Sequence, residues 1–201
     1  MSKVSCYILT FNDAGKVRAA IDSVINWADE VILCDSHSTD ETADIAAELN
    51  VSIVQIEFTG FGKLRNQALA SCQNEWIFSL DSDERCTPDS RDEILSIVRR
   101  NDPNGPVAYF MPRKNYLLGR WVKYSGWNPD YRQPQLFRRG HLSYTLDEVH
   151  EGFVCDGPIG YLTKPIWQFP FENLDQMLRK AQRYSSLGAQ KLYRHNKKGG
   201  M

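Results

Sequence analysis

Two carboxylates, Asp81 and Asp83, directly follow an apolar run from Trp76 to Leu80. The run is short, apolar and bounded by polar residues, which is typical of a buried strand. Residues i and i+2 of an extended segment point to the same side, so the sequence predicts that both carboxylates face one ligand. Carboxylate oxygens at the carboxyl end of a strand are suitable ligands for Mg²⁺ or Mn²⁺ and, through that metal, for a diphosphate.

Strand-like apolar runs alternate with amphipathic segments in the first half of the chain. The runs cover residues 3–10, 30–34, 51–58 and 76–80. This alternation predicts an α/β fold, in which a mostly parallel sheet is flanked by helices on both faces. Ligands of such sheets bind beyond the carboxyl ends of the strands. Polar clusters occur at three of those ends, within residues 10–13, 35–40 and 81–84.

Short motifs indicate where the helices begin. Asn12 or Asp13 is expected to cap the first helix. The segment Ser38-Thr-Asp-Glu41 fits a capping box for the second helix. Gly60-Phe-Gly62 is predicted to form a turn before the third helix. Thr87 followed by Pro88 fits a cap and a first-turn proline for the fourth.

The pattern changes after about residue 105. Residues 107–111 and 134–137 are predicted strands, and the segment 113–132 between them is basic and aromatic. This segment is too long to be a simple connector. An amphipathic closing helix is expected to begin near Asn173. We therefore expect a small antiparallel, loop-rich region beside the main sheet.

The net charge of -1 conceals an uneven distribution. Residues 1–108 contain 9 Lys and Arg against 18 Asp and Glu, a net charge of -9, whereas residues 109–201 contain 15 against 7, a net charge of +8. The basic half is expected to face anions, such as the phosphates of a donor, an acceptor or a membrane. Nucleic-acid binding would account for the basic half but not for the acidic strand ends, so no nucleic-acid partner is predicted.

Composition and cysteine usage indicate the cellular location. No run of about 18 apolar residues is present, so the sequence predicts no transmembrane helix. The amino terminus leads straight into a predicted strand, without the apolar region of a signal peptide. The five cysteines are an odd number, and Cys6, Cys34 and Cys72 fall in apolar patterns typical of buried, reduced thiols. We therefore expect a cytoplasmic protein.

Four motifs of the first half resemble those of glycosyltransferase family 2, a group with the GT-A fold. In chain order they are Tyr7-Ile-Leu-Thr-Phe-Asn12, Asp35-Ser-His-Ser-Thr-Asp-Glu-Thr42, Arg65-Asn66 and Asp81-Ser-Asp-Glu84. The segment from Pro112 to Glu151 is similar to a narrower branch, the bacterial lipopolysaccharide core β-glucosyltransferases. His37 departs from the family pattern, which has Gly at this position, and the turn geometry there is therefore open.

The resemblance implies an inverting, metal-dependent hexosyltransferase. It would move glucose from a nucleotide-diphospho-sugar such as UDP-glucose to a saccharide acceptor of the lipopolysaccharide core. A single GT-A domain would cover residues 1–201, with a nucleotide-sugar-binding half at 1–105 and an acceptor-binding half with the closing helix at 106–201. The residues implied for nucleotide-sugar binding are Thr10, Phe11, Asn12, Asp35, Arg65, Asp81 and Ser82.

The resemblance also implies a divalent metal, Mg²⁺ or Mn²⁺. Asp83 would bind it directly, and Asp81 would contact the metal or the ribose. His150 is either a further metal ligand or a structural hydrogen-bonding residue. The metal and nearby cations would stabilise the charge on the departing nucleoside diphosphate.

Inversion at the sugar carbon requires one base to deprotonate the acceptor hydroxyl. Glu151 is the first candidate, because Val149-His-Glu151 matches a family motif, and Asp130 is the second. Asp147, Glu148 and Asp156 remain alternatives. Aromatic faces pack against pyranose rings, and basic side chains can meet acceptor phosphates. The residues expected to bind the acceptor are Arg113, Trp121, Trp127 and Tyr131, with Lys114, Arg120, Lys123 and Arg132 as further basic residues of the same segment.

The closing helix is basic. Residues 172–201 contain seven Lys and Arg against two Asp and Glu, a net charge of +5. One interpretation is an ordinary helix packed on the sheet with its basic face in water. The other is peripheral binding to the anionic inner face of the cytoplasmic membrane, which would bring the site to a lipid-linked acceptor.

Other functional classes fit less of the sequence. A sugar nucleotidyltransferase would need a Gly-rich loop with Arg and Lys after the first strand, whereas Thr10 to Gly15 is followed only by Lys16. A non-enzymatic carbohydrate- or nucleotide-binding scaffold would not need Asp81 and Asp83 as well as Asp35. A glycosyltransferase that acts on another cell-envelope glycan is an alternative for the substrate.

Overall fold

The computed structural model describes residues 2–124, 128–146, 152–171 and 173–194. Its first half contains the predicted alternation of strands and helices. The elements are β1 (Val4–Thr10), α1 (Ala14–Asp22), β2 (Glu30–Asp35), α2 (Thr42–Glu48), β3 (Ser52–Gln55), α3 (Phe61–Ser71), β4 (Trp76–Asp81), β5 (Glu84–Arg85) and α4 (Pro88–Arg100). Strand β3 is shorter than the predicted run, and it lies at an edge of its sheet.

The second half consists mainly of short strands followed by one long helix. The elements are β6 (Ala108–Phe110), β7 (Arg113–Leu117), β8 (Arg120–Trp121), β9 (Pro134–Arg138), β10 (Leu142–Tyr144), β11 (Phe153–Cys155), β12 (Ile159–Tyr161), β13 (Ile166–Gln168) and α5 (Leu174–Arg194). The predicted strands at 107–111 and 134–137 correspond to β6 and β9. The predicted basic loop contains the hairpin β7–β8, so its first part is extended rather than irregular.

The main sheet has seven strands in the order β12-β6-β9-β4-β1-β2-β3. Strand β1 is parallel to both β2 and β4, and β2 is parallel to β3, whereas β9 runs antiparallel between β4 and β6. The mostly parallel sheet flanked by helices is thus confirmed. The register pairs Thr10 with Asp35 and Leu9 with Asp81, so the loops after β1, β2 and β4 emerge at one edge.

A second sheet begins directly after the carboxylate pair. Its order is β5-β13-β7-β8, in which β13 pairs antiparallel with β5 and parallel with β7. Strands β10 and β11 form a separate antiparallel pair. The second sheet therefore connects the end of β4 to the basic, aromatic part of the chain.

The core lies on both faces of the main sheet. All seven residues of β1 are buried, and they alternate between two apolar clusters, with Cys6 and Ile8 in one and Tyr7 and Leu9 in the other. Each cluster also contains residues from the second half, such as Leu136 in the first. All five cysteines are free, and the predicted burial of Cys6, Cys34 and Cys72 is confirmed.

Two of the helix starts differ from the prediction. Asp13 is the residue before α1, but its side chain makes no capping hydrogen bond. Helix α2 begins at Thr42, and Glu41 before it likewise caps nothing, so the capping box at 38–41 was wrong. The Asp40 carboxylate instead accepts hydrogen bonds from the N–H groups of Thr42 (3.1 Å) and Ala14 (3.0 Å). One short side chain thereby joins the starts of both helices.

The other two starts show how packing decides the local structure. Gly60 precedes α3 with a φ of +127°, but Gly62 is helical rather than part of a turn, which corrects the predicted turn. A Cβ at Gly62 would lie 1.9 Å from the carbonyl oxygen of Thr145, so only Gly allows this approach. Thr87 caps α4 through Ser90 and is followed by Pro88, as predicted.

Helix α5 begins where the sequence predicts. Asn173 accepts a hydrogen bond from the N–H of Gln176 at 2.9 Å, which satisfies one of the first donors of the helix. Residues 195–201, and with them Lys197 and Lys198, lie outside the described residues. Within the part of the chain that the structure describes, no helix combines the length and the apolar character needed to cross a membrane.

Candidate active site

The loops after β1 and β2 are joined through a buried carboxylate. Asp35 is fully buried, and its Oδ2 accepts hydrogen bonds from the Ser38 N–H (3.0 Å) and from Nε2 of Gln55 (2.9 Å). The Ser38 hydroxyl, which donates to Asp35, accepts from the Asn12 N–H at 2.8 Å. The Asn12 side chain in turn accepts from the Thr39 N–H at 2.7 Å. Asp35 therefore fixes the relative position of the two loops.

The predicted contact between Asp35 and a nucleotide stays a prediction. Both carboxylate oxygens are already occupied by donors of the protein, and none of the side chain is exposed. In the loop after β1, Phe11 is 58% exposed and Asn12 has a left-handed φ of +48°.

Two buried hydroxyls lie at the ends of β1 and β2. The Oγ1 of Thr10 and the Oγ of Ser36 have no hydrogen-bond partner within the described ranges. The two residues are adjacent, because the Ser36 N–H donates to the Thr10 carbonyl at 3.1 Å. Leaving a buried polar atom unpaired costs free energy, so a polar ligand at this edge would be favoured by hydroxyls already desolvated there.

The turn at His37 keeps a backbone conformation typical of glycine. His37 has a φ of +59°, so the backbone keeps the left-handed conformation that Gly adopts most readily. Its N–H donates to Oε1 of Gln55 at 3.1 Å. Gln55 thus contacts both His37 and Asp35, and the loop keeps its shape without a glycine.

The carboxylate pair lies on a turn rather than on an extended segment. Strand β4 ends at Asp81, Ser82 and Asp83 form the turn, and β5 begins at Glu84. The predicted alternation argument for the two carboxylates was therefore wrong, although both lie at the predicted edge of the sheet. The Asp81 side chain is 33% exposed.

Arg65 lies against the first of these carboxylates. Its Nη2 is 3.2 and 3.3 Å from the two oxygens of Asp81, and its guanidinium lies 5.5 Å from the centroid of the Tyr144 ring. Arg65 is buried in α3, so it is not a solvated helix side chain. The ion pair orients Asp81 at the edge of the sheet.

Ser82 and Asp83 are attached to opposite sides of the site. The Ser82 hydroxyl donates to Asp13 at 2.6 Å, and the Ser82 N–H donates to the Leu9 carbonyl at 3.0 Å. Ser82 is buried and joins the turn to the β1 loop, and its predicted role in nucleotide binding stays a prediction. Asp83 is contacted by Nε2 of Gln168 at 3.4 Å from each oxygen.

A buried ion pair lies behind the turn. Glu84 is 1% exposed, and its Oε1 accepts from Nε of Arg113 at 2.6 Å. Its Oε2 accepts from the Asp81 N–H and from Nε2 of Gln135, each at 3.0 Å. Burial raises the pKa of Glu84 to about 7, although the neighbouring Arg113 guanidinium lowers it. Arg113 is 3% exposed and its guanidinium faces Glu84, and its predicted contact with the acceptor stays a prediction.

Of the two leading base candidates, the structure describes Asp130. Its Oδ2 is 2.9 Å from Nδ2 of Asn115 and 2.8 Å from Nη2 of Arg132. The other candidate, Glu151, lies outside the described residues. The same holds for the base alternatives Asp147 and Glu148, the candidate metal ligand His150 and the acceptor-binding candidate Trp127. Asp156 pairs with His141 at 2.7 Å on the surface.

Two of the aromatic residues expected to bind the acceptor, Trp121 and Tyr131, are described by the structure. Two ammonium groups lie over the ring of Trp121, with Nζ of Lys114 at 4.6 Å and Nζ of Lys123 at 4.9 Å from its centroid. Tyr131 packs edge-to-face on Tyr161, with ring centroids 5.4 Å apart. Tyr161 is 64% exposed and stacks on Phe110. Tyr161 was not predicted as a site residue, because nothing in the sequence indicates that it adjoins Tyr131.

The family model for glycosyl transferase family 2 matches residues 5–169 of this chain. The chain belongs to that family. It is a glycosyltransferase, as the sequence predicted, and the matched segment contains all of the described site residues from Thr10 to Gln168.

Relatives of this family 2 glycosyltransferase extend over nearly the whole chain. It is 30% identical over 208 residues to an uncharacterized glycosyltransferase of Rickettsia felis, covering 98% of this chain and 73% of the relative. It is 28% identical over 197 residues to the lipopolysaccharide core biosynthesis glycosyltransferase LpsC of Rhizobium meliloti, covering 92% of this chain and 70% of LpsC.

A solved structure shows the same fold. The crystal structure of S. aureus TarS 1–349 in complex with UDP-GlcNAc matches 87% of this chain with a TM-score of 0.64 and 18% sequence identity. This family 2 glycosyltransferase spans 60% of that TarS chain. The predicted GT-A fold class is thereby confirmed.

The carboxylates of this glycosyltransferase fit one kind of metal site. Within the described ranges, no three or more His, Cys, Asp or Glu residues group as a metal cage. Mg²⁺ and similar hard cations are commonly bound by only one or two carboxylates plus substrate phosphates. Asp81 and Asp83 supply that number, so the donor set suits a cation shared with a diphosphate.

We expect the substitution Asp35→Ala to destabilise this glycosyltransferase even without ligand. The Ser38 N–H and the Gln55 amide would lose their buried acceptor, which should lower the free energy of unfolding by about 1–3 kcal/mol. Equilibrium unfolding in urea measures this change. Asp44→Ala, which removes an exposed carboxylate from α2, serves as the control, and equal stability of the two variants would contradict the role of Asp35.

Proposed function

We propose that this chain transfers glucose from a nucleotide-diphospho-sugar, UDP-glucose, to a saccharide of the lipopolysaccharide core, with inversion at the sugar carbon. The observation that carries the proposal is the Asp81–Asp83 turn, which lies at the edge of the sheet where the loops after β1 and β2 also end. The name of the relative LpsC supports the acceptor, and the UDP-GlcNAc bound to TarS supports a uridine nucleotide donor.

The donor is proposed to lie across this edge. Phe11 offers an exposed aromatic face and Thr10 an unpaired hydroxyl at the nucleotide end. Asp83 and Asp81 would hold Mg²⁺ or Mn²⁺, with His150 as the further candidate ligand. When bound, the cation would stabilise the charge on the leaving diphosphate. Arg65 keeps Asp81 in place through its paired contacts with both oxygens.

The acceptor is proposed to approach from the second half of the chain. Tyr131, together with the exposed ring of Tyr161, would pack against a sugar ring. Trp121 and Trp127 are the other aromatic candidates, and Lys114 and Lys123 beside Trp121 carry the positive charge.

Proton removal from the acceptor hydroxyl is assigned to Glu151 first and to Asp130 second. Support for Glu151 is the family motif at 149–151. Asp130 is held by Asn115 and Arg132, and it directly precedes Tyr131. A carboxylate in either place would take the proton as the hydroxyl oxygen attacks the sugar carbon.

The chain is proposed to work in the cytoplasm at the inner face of the membrane, where a lipid-linked acceptor would be available. Helix α5 supports this, because Leu174 and Leu178 are exposed one turn apart on a helix rich in basic residues. Arg179 of the same helix pairs with Asp175 at 2.9 Å, so part of its positive charge is already compensated.

The alternative of a non-enzymatic carbohydrate- or nucleotide-binding scaffold differs in turnover. A panel of nucleotide sugars, assayed for release of the nucleoside diphosphate with and without Mn²⁺, separates the two. Metal-dependent hydrolysis of one donor is expected. Binding of a nucleotide sugar without any turnover, with or without a lipopolysaccharide core acceptor, would favour the scaffold.

Asp83→Asn is expected to abolish metal-dependent turnover while leaving the fold intact. Asparagine has nearly the same size but no charge, so a site that binds a cation through Asp83 should lose at least about 100-fold in rate. UDP release from UDP-glucose in the presence of Mn²⁺ measures the rate. Asp44→Asn, at an exposed position of α2, is the matched control, and near-normal turnover by folded Asp83→Asn protein would refute the assignment.

The membrane proposal predicts salt-sensitive binding to vesicles that contain anionic lipid and none to neutral vesicles. Each basic residue near an anionic surface adds about 1 kcal/mol, so replacing four of them with Gln should weaken binding strongly. The residues to replace are Lys191, Arg194, Lys197 and Lys198. Cosedimentation at low and high salt measures the effect.

A control with the same change of net charge tests whether position matters. Four basic residues of the first half are replaced with Gln instead: Lys3, Lys63, Arg99 and Arg100. This variant should bind like the wild type. Equal loss of binding in both variants, or equal binding to anionic and neutral vesicles, would rule out a specific role of α5 and the residues after it.

A further inference from the structure

Glu84 and Arg113 form an ion pair that is almost completely buried, which is unusual for charged side chains. Removing two charges from water is costly, and a buried ion pair is often no more stabilising than apolar side chains of similar volume. Here the cost is increased, because Nη1 of Arg113 and Oε1 of Gln135 lack hydrogen-bond partners in the part of the chain that the structure describes. Stability alone therefore does not account for the pair.

The pair links the two ends of the turn that carries Asp81 and Asp83. The Oε2 of Glu84 accepts the backbone N–H of Asp81 at 3.0 Å, so the first and last residues of the turn are joined. The other oxygen of the same carboxylate is held by Nε of Arg113 at 2.6 Å. Because Arg113 lies in β7, the second sheet fixes the orientation of Glu84 and, through it, the backbone of the turn.

The same strand also holds the segment of Asp130. The Arg113 N–H donates to the Asp130 carbonyl at 3.0 Å, and Nδ2 of Asn115 donates to its carboxylate at 2.9 Å. Arg113 and Asn115 are buried at alternate positions of β7, which places both on its inner side. One strand thus contacts the carboxylate turn of the first half and the Asp130 segment of the second.

We propose that Glu84 and Arg113 are positioning residues, which hold the Asp81–Asp83 turn in the shape that receives a divalent cation together with the donor diphosphate. The inference rests on the proposed function, since it assumes a metal-linked nucleotide at this turn. Neither residue contacts the ligand in this scheme. Both act through the backbone and carboxylates of the turn, and through β7 they align that turn with Asp130.

The test is calorimetry of UDP binding with and without Mn²⁺, on the full chain. Substituting Glu84 or Arg113 alone leaves one buried charge uncompensated, so each single variant is expected to be destabilised. The double variant Glu84→Met, Arg113→Met removes both charges and fills most of the same space with apolar side chains. It should melt close to the wild-type temperature, yet lose at least about 10-fold in the gain of UDP affinity that Mn²⁺ provides.

A second variant, Glu84→Asp, keeps both charges but shortens the side chain that carries the carboxylate. Glu84→Asp retains a negative charge opposite Arg113, but its side chain is one methylene shorter and cannot accept from Asp81 in the same way. It should also lose Mn²⁺-dependent affinity, while UDP binding without metal stays at the wild-type level. If the double variant does not fold, Glu84→Asp decides the question.

The outcomes are distinct. A folded double variant, or folded Glu84→Asp, with wild-type Mn²⁺-linked affinity would show that the pair is only structural and would overturn the inference. Equal loss of UDP binding with and without Mn²⁺ would also overturn it, because general distortion of the site would explain that result. A wild-type protein whose UDP affinity does not respond to Mn²⁺ would refute the proposed metal site itself, and the inference with it.

Discussion

Strand β1 is hydrogen-bonded along both of its edges, to β2 on one side and to β4 on the other. Because the three strands are parallel, the loops that follow them emerge at the same edge of the sheet. Thr10, Asp35 and Asp81 are brought together only by this pairing. A register shift of one residue would turn every side chain of the strand to the other face, so burial of every residue of β1 also secures the geometry of the site.

Buried polar side chains convert that alignment into a defined shape. Asp35 fixes the loops after β1 and β2, and Glu84 fixes the turn after β4. Both are carboxylates with almost no exposed surface, and hydroxyl or guanidinium atoms near them lack partners within the described residues. Buried polar groups that lack some of their hydrogen bonds destabilise a protein. Their presence here is consistent with a site whose geometry is needed for binding.

Local patterns were enough to predict the parallel part of the fold. Apolar runs predicted β1 to β4, and Thr87 with Pro88 predicted the start of α4. The start of α2 was not predictable, because the Ser38 hydroxyl is taken by the buried Asp35 and Asp40 acts in its place. Which side chain caps the helix depends on tertiary contacts, and these cannot be read from the spacing of residues in the sequence.

The candidate site was predictable in its location but not in its internal contacts. The carboxylates at 81 and 83 were found from a single strand end, whereas the burial of Arg113 depends on Glu84, 29 residues earlier in the chain. A strand that alternates Arg113, Lys114 and Asn115 resembles an exposed one, since its inward side chains are polar. Only the structure distinguishes a basic surface loop from a polar interior of this kind.

We propose that the turn from Asp81 to Asp83 binds a cation shared with the diphosphate of the donor. Crystals grown with UDP and MnCl₂ test it directly, because Mn²⁺ gives an anomalous signal that identifies its position without a prior assumption. We expect one strong anomalous peak in contact with the Asp83 carboxylate and with the diphosphate. A diphosphate bound at this edge without Mn²⁺ at Asp83, or UDP bound elsewhere on the chain, would contradict it.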